Sequence, residues 1–90
     1  GKDKKVFISG STKGIGYAAA KTIALEGAEV IINGSSQDSV NTSLEKLKKE
    51  TDSKKISGIA CDFSKTEEID ALITQLGNVD VLINNVGIFA

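Results

Sequence analysis

Residues Lys5 to Gly16 read KVFISGSTKGIG, a short apolar run followed, from Ser9, by a loop holding Gly10, Gly14 and Gly16. Glycine gives up more chain entropy on ordering than any other residue, so such a loop marks backbone geometry that side chains resist. The run Lys5–Ser9, closed by Gly10, fits a strand buried on both faces. Beyond the loop the period changes. Ile15, Ala19 and Ile23 recur every four residues with Ala18 and Thr22 beside them, which predicts a helix with a small-residue face. Gly27 stops that helix. A glycine loop between the carboxyl end of a strand and the amino end of a helix suits a phosphate, because free N–H groups and the positive end of the helix dipole meet there. In this reading Gly10 permits the tight turn, while Gly14 and Gly16 let the backbone approach a ligand and the helix approach the sheet. The spacing is G-x-x-x-G-x-G. It is neither the G-x-G-x-x-G fingerprint nor a P-loop, which needs an adjoining Gly-Lys pair. Taken alone, the loop also reads as a plain strand-to-helix turn.

The alternation continues to the end of the chain. Ala28–Asn33 (AEVIIN) is β-branched and apolar and is ended by Gly34-Ser35-Ser36. Val40, Leu44 and Leu47 mark one face of a second helix. Glu45, Lys46, Lys48, Lys49 and Glu50 cover the other, a solvated face. Lys55–Cys61 (KISGIAC) reads as a third strand. Ser64-Lys65-Thr66-Glu67 has the form of a capping box, and Ile69, Leu72, Ile73 and Leu76 follow at helical spacing up to Gly77. Val79–Asn84 (VDVLIN) is a fourth strand. The order β-α-β-α-β-α-β predicts an α/β fold, an open parallel sheet covered by helices with right-handed crossovers.

Composition narrows the classes. A net charge of −1 argues against a nucleic-acid partner, and the apolar runs are too short for a membrane span. The segment GKDKK leads into a strand rather than an apolar leader. With one cysteine, Cys61, and no histidine, neither an internal disulfide nor a Cys/His metal site is available. A reduced, cytoplasmic protein is expected, with Cys61 as inert core.

Three stretches carry a family resemblance. SGSTKGIG (Ser9–Gly16) resembles the T-G-x-x-x-G-I-G cofactor loop of the short-chain dehydrogenases/reductases, with Ser9 where Thr is usual. CDFS (Cys61–Ser64) resembles the family's Asp after the third strand, and NNVG (Asn84–Gly87) resembles its N-N-A-G motif, with Val86 in place of Ala. The resemblance implies a Rossmann-type parallel sheet, the first half of a doubly wound fold, with residues 1–90 as one dinucleotide-binding domain in which Gly10, Ser11, Thr12, Lys13 and Ile15 line the pyrophosphate and the adenosine ribose. It implies that Asp62 accepts from the adenine amino group while Phe63 offers its N–H. Asn85, Val86 and Gly87 would run past the ribose, and Asn84 would brace the sheet. A helix-capping role for Asp62, and a polar loop start for Asn84-Asn85, are the simpler alternatives.

The end of the second strand bears on the cofactor. An acid there pairs with the ribose 2′-OH of NAD and repels the 2′-phosphate of NADP. Gly34 stands where NAD-preferring relatives carry Asp, and Ser35 where NADP-preferring ones often carry Arg. Lys13 matches a basic residue that in the family commonly touches the 2′-phosphate. One cation, two hydroxyls (Ser35 and Ser36) and no acid at that position favour NADP over NAD. Asp38 is assigned to the start of the second helix.

The implied activity is hydride transfer between NADP(H) and a carbonyl or alcohol substrate. The family's catalytic Ser and Y-x-x-x-K pair lie downstream of the matched motifs. Tyr17-Ala-Ala-Ala-Lys21 is literally Y-x-x-x-K, but it begins one residue after Gly16 on the helix that would serve the pyrophosphate. Tyr17 and Lys21 are therefore read as ordinary helix residues, and no catalytic residue is assigned. The 90 residues look like the truncated first half of a relative of about 250 residues, typical of one large α/β domain, and are expected to be inactive alone. The fourth strand would then be an exposed apolar edge, suited to homo-oligomer contacts or other association. A non-catalytic dinucleotide sensor and a flavodoxin-like phosphate-binding domain are the competing readings.

Overall fold

The computed structural model describes residues 4–85. Its elements are β1 (Lys5–Ile8), α1 (Gly14–Leu25), β2 (Glu29–Gly34), α2 (Gln37–Thr51), β3 (Ile56–Ala60), α3 (Thr66–Leu76) and β4 (Val81–Ile83). The four strands form one parallel sheet in the order β3-β2-β1-β4. Phe7 is in register with Ile31 on one side and with Leu82 on the other. The chain thus runs outward from β1 through β2 to β3, then crosses back to place β4 on the far side of β1. The reversal sets a switch point between β1 and β4, where open α/β sheets bind ligands.

Alternation along the strands explains the two cores. Val6 and Ile8 of β1 and Val30 and Ile32 of β2 pack with Ala20 and Ala24 of α1 and Val40 and Leu47 of α2. Phe7 and Ile31 face the other way, against Cys61 and against Leu72 and Leu76 of α3. Each large side chain buried in this way contributes roughly 1.5–3 kcal/mol. Cys61 is buried, and that burial pushes its thiol pKa up, as suits a core residue.

Four local expectations are corrected. The buried stripe of α1 is Gly16, Ala20 and Ala24, one residue on from the expected Ile15, Ala19 and Ile23; Ile15 is 81% exposed. The smallest side chains face the sheet because they let the helix lie closest to it. In α2 the stripe is Val40, Ser43 and Leu47, with Leu44 only half-buried. The capping box before α3 does not form. The helix begins after Lys65 with no side-chain cap, because Ser64 is captured by Asp62 instead. The fourth strand is also shorter than read. Asp80 precedes it, exchanging backbone hydrogen bonding and a carboxylate contact with Lys5.

The helix ends follow simple chemistry. Gly27 takes a positive φ of 92° past the end of α1, and Gly77 caps α3 with φ 54°. Asp52 closes α2 in the left-handed region, its N–H donating to Lys48 O at 2.8 Å. β4 is an edge strand whose Leu82 is 67% exposed.

Candidate functional site

The loop leaving β1 is held from three other elements. At β2, Asn33 accepts the N–H of Gly10 on its side-chain oxygen (2.9 Å) and that of Ser11 on its backbone oxygen (2.8 Å). At α2, the Ser43 hydroxyl donates to Thr12 O at 2.8 Å. Beyond β4, Asn85 Nδ2 donates to Gly10 O at 3.0 Å. The Ser9 hydroxyl completes this last contact. It accepts from the Asn85 N–H (2.9 Å) and donates to Asn84 Oδ1 (3.1 Å), so β1 and β4 are locked at their carboxyl ends.

Two glycines of the loop make turns and one makes a close approach. Gly10 and Gly14 have φ of 59° and 65°, values that L side chains rarely adopt. A Cβ on Gly14 would meet open space, whereas one on Gly16 would lie 2.5 Å from Gly10 O and 2.9 Å from Ser11 Cα. Gly16 is what lets α1 start against the loop.

The expected residues at the glycine loop therefore fall into two sets. Thr12, Lys13, Gly14 and Ile15 form the accessible rim at the amino end of α1. Gly10, Ser11, Gly16 and Asn85 instead build the support beneath it. The Ser11 side chain, expected against the pyrophosphate, is fully buried; its hydroxyl donates to Ile8 O (2.7 Å) and accepts from Asn33 N–H (2.8 Å). A buried hydroxyl with both bonds internal shapes the loop and does not face a ligand.

At the end of β2, Gly34 is buried, and a Cβ there would lie 2.5 Å from Thr12 Cγ2 and 2.9 Å from Ser39 Oγ. The Ser36 hydroxyl caps α2 by accepting from Ser39 N–H (3.2 Å), and Asp38 lies in the first turn of that helix, as expected. Ser35 and Lys13 are exposed.

After β3, Asp62 accepts from both the N–H (3.0 Å) and the hydroxyl (2.7 Å) of Ser64. The Ser64 hydroxyl, then its N–H, holds the carboxyl below the usual carboxylate range. Glu68 reaches back from α3 to accept the Asp62 N–H at 2.8 Å. Phe63 is exposed beside them. A cavity of about 700 Å³ opens here between α3 and the β1–β4 edge, walled by Phe63, Leu72, Ile73 and Leu82 with Ser9 and Asn84 at its rim. Val86 and Gly87, also expected at the site, lie outside the described residues.

Tyr17 and Lys21 are engaged away from this loop. Tyr17 donates to Glu50 Oε1 of α2 (2.6 Å), Lys21 pairs with the same carboxylate (3.6 Å), and Lys46 Nζ sits 4.9 Å from the ring centroid. Burial first, then the hydrogen bond and charge of Glu50, raise the Tyr17 pKa to about 12. A tyrosine held this strongly in its neutral form is the reverse of an activated acid–base. Among the described residues no cluster of His, Cys, Asp and Glu is arranged to hold a metal ion.

A loop built this way, at the switch point of a β3-β2-β1-β4 sheet, accompanies a match of residues 4–90 to the family model for short chain dehydrogenase. The chain belongs to the short-chain dehydrogenase family. It is 45% identical over 91 residues to the uncharacterized oxidoreductase YvrD of Bacillus subtilis, covering 98% of this chain and 34% of that protein. It is 40% identical over 91 residues to the 3alpha-hydroxysteroid dehydrogenase of Mediterraneibacter gnavus, covering 97% and 36%. Among solved structures, L-sorbose reductase from Gluconobacter frateurii, complexed with NADPH and L-sorbose, superposes with a TM-score of 0.82 at 29% identity, covering 100% of this chain and 36% of that one. This short-chain dehydrogenase chain spans about a third of the length of such relatives.

Asn33 and Ser43 were not foreseen as site residues. The available signal for Asn33 was a lone amide closing an otherwise apolar strand directly across from the glycine loop. For Ser43 it was a serine at the fourth position of the α2 stripe begun by Val40, where an apolar residue would pack as well.

Proposed function

We propose that this chain carries the adenosine and pyrophosphate half of an NADP(H) site, in an oxidoreductase that acts on a carbonyl or alcohol compound. The observation that carries the reading is the glycine loop itself, fixed by Asn33, Ser43 and Asn85 so that Thr12–Ile15 stand accessible at the start of α1. The residues present fit a dinucleotide. The amino end of α1 suits the pyrophosphate, Asp62 and Phe63 suit the adenine, and Asn85 flanks the ribose side with Val86 and Gly87 following in sequence. Bound there, the dinucleotide supplies or accepts the hydride. The described residues bind and orient its adenosine end, and none of them is assigned a proton-transfer role.

NADP is preferred to NAD in this proposal because the β2 end offers no carboxylate to the 2′ position. Gly34 is backed by Thr12 and Ser39, and the charged side chain within the glycine loop is the exposed cation Lys13. Two solved relatives named as NADPH complexes, L-sorbose reductase and actinorhodin polyketide ketoreductase, support a nicotinamide dinucleotide. The 90 residues alone are expected to transfer no hydride, a reading supported by the engagement of Tyr17 and Lys21 with Glu50, which leaves no acid–base pair assigned among the described residues. Association through β4, with another copy or with further parts of a longer chain, belongs to the same proposal and is supported by the exposure of Val81 and Leu82. No helix among the described residues is long and apolar enough to cross a membrane. A cytoplasmic setting is supported by the single buried thiol, although relatives include a chloroplastic and a mitochondrial protein. The deciding experiment is a fluorescence titration of the intact protein with NADPH and with NADH. Tighter binding of NADPH is expected. Equal affinities overturn the cofactor preference, and no binding of either overturns the function.

A further inference from the structure

We propose that Asn33 is a positioning residue for the dinucleotide, a buried amide that presets the glycine loop before any ligand arrives. The inference rests on the function proposed above. Asn33 is 1% exposed at the carboxyl end of β2. Its backbone brackets Ser11, accepting the Ser11 N–H at 2.8 Å and donating to the Ser11 hydroxyl at 2.8 Å. Its side chain does two further things at once. Oδ1 accepts the N–H of Gly10 at 2.9 Å, and Nδ2 donates to Ile59 O of β3 at 3.0 Å and to Gly34 O at 3.4 Å. One residue therefore fixes two consecutive loop residues and ties them to a third strand.

Only an amide fits this place. The oxygen faces a donor and the nitrogen faces two carbonyls, so the reversed orientation would set N–H against N–H and oxygen against oxygen. A leucine would fill the volume but strip the part-buried Gly10 N–H and Ile59 carbonyl of these bonds. An ionised aspartate would keep the bond to Gly10 while pressing an oxygen on Ile59 O and Gly34 O. Gly10 is the left-handed turn that starts the loop. Releasing its N–H frees the turn, and the N–H groups meant for the pyrophosphate lose their common aim. Affinity then falls even though Asn33 lies beneath the accessible rim.

The test measures NADPH and adenosine 2′-monophosphate, which has no pyrophosphate, on intact unmodified protein and on Asn33→Leu and Asn33→Asp, at a temperature where circular dichroism shows each folded. Both variants are expected to bind NADPH about tenfold more weakly, equivalent to about 1.4 kcal/mol. The mononucleotide should be unaffected. Relative to the unmodified protein, Asn33→Asp should regain NADPH affinity between about pH 8 and about pH 5, because a protonated carboxyl can again donate to Ile59 O while accepting from Gly10. Equal weakening of both ligands, or folded variants that bind NADPH normally, overturns the proposal. If neither variant folds, hydrogen exchange on the unmodified protein decides it. The Gly10 amide should be protected without nucleotide, and protection that appears only with NADPH refutes the preset loop. Failure of the unmodified protein to bind any dinucleotide counts instead against the proposed function, and the exchange result then decides the presetting by itself.

Discussion

Replacing Gly16 with alanine tests the packing beneath the loop with one carbon atom. The new Cβ would lie 2.5 Å from Gly10 O, 2.6 Å from Asn85 Nδ2 and 2.9 Å from Ser11 Cα, whereas ordinary contact begins near 3.4 Å. Two of these three neighbours are backbone, pinned by Asn33, so no rotamer change relieves the clash. The first turn of α1 must withdraw by about 1 Å, and overpacking of this kind costs about 1–3 kcal/mol. Displacing the Asn85 bond to Gly10 O adds about 1 kcal/mol. Opposing both is the better helix propensity of alanine, about 1 kcal/mol. The net expectation is a loss of about 1–3 kcal/mol, read as a lower urea midpoint at unchanged slope. NADPH binding should weaken with it, because the loop and helix no longer meet at the same spacing. A midpoint equal to or above that of the unmodified protein, with NADPH affinity intact, would refute the reasoning, since propensity alone gives that result.

Two further outcomes are expected. Lys13→Ala should narrow the NADPH-over-NADH preference by about 1–3 kcal/mol, the range for hydrogen bonds to charged groups, and paired titrations check it; an unchanged gap removes Lys13 from the 2′-phosphate site. Ultraviolet titration of Tyr17, by difference from Tyr17→Phe, should place its ionisation near pH 12 rather than pH 10.0, with Glu50→Gln bringing it down. Because the folded value is raised, the associated stability is present below pH 10 and is lost as pH climbs toward 12.

The strands and the loop were legible because their signals are local. KVFI, VII and the glycines that follow each apolar run specify element type within a few residues. The small-residue face of α1 was legible, but its centre lies one residue on from Ile15, Ala19 and Ile23, which leaves Ile15 exposed and Ala19 and Ile23 half-buried against the core. Close approach to the sheet selected glycine and alanine for that centre. The cap of α3 was misread. Asp62 competes for Ser64, and Glu68 rather than Glu67 reaches back along the chain. Which of several nearby hydroxyls and carboxylates pair is decided by loop geometry, which spacing alone does not reveal. Asn33 and Ser43 were invisible as site residues because their partners lie 23 and 31 residues away.

The lock between β1 and β4 also has a kinetic side. Asn85 reaches Ser9 and Gly10 across 76 and 75 residues, and Asp80 meets Lys5 across 75. During synthesis, β1, β2 and β3 can assemble from the ribosome as each appears, but the floor of the proposed nucleotide site waits for β4 and Asn85 to emerge. Closing so long a loop is slow relative to forming neighbouring strand pairs. A nucleotide that needs the completed floor then gives no help to the earliest steps. Under the proposed function it acts afterwards, by mass action on the docked β4, and so holds that strand against reopening.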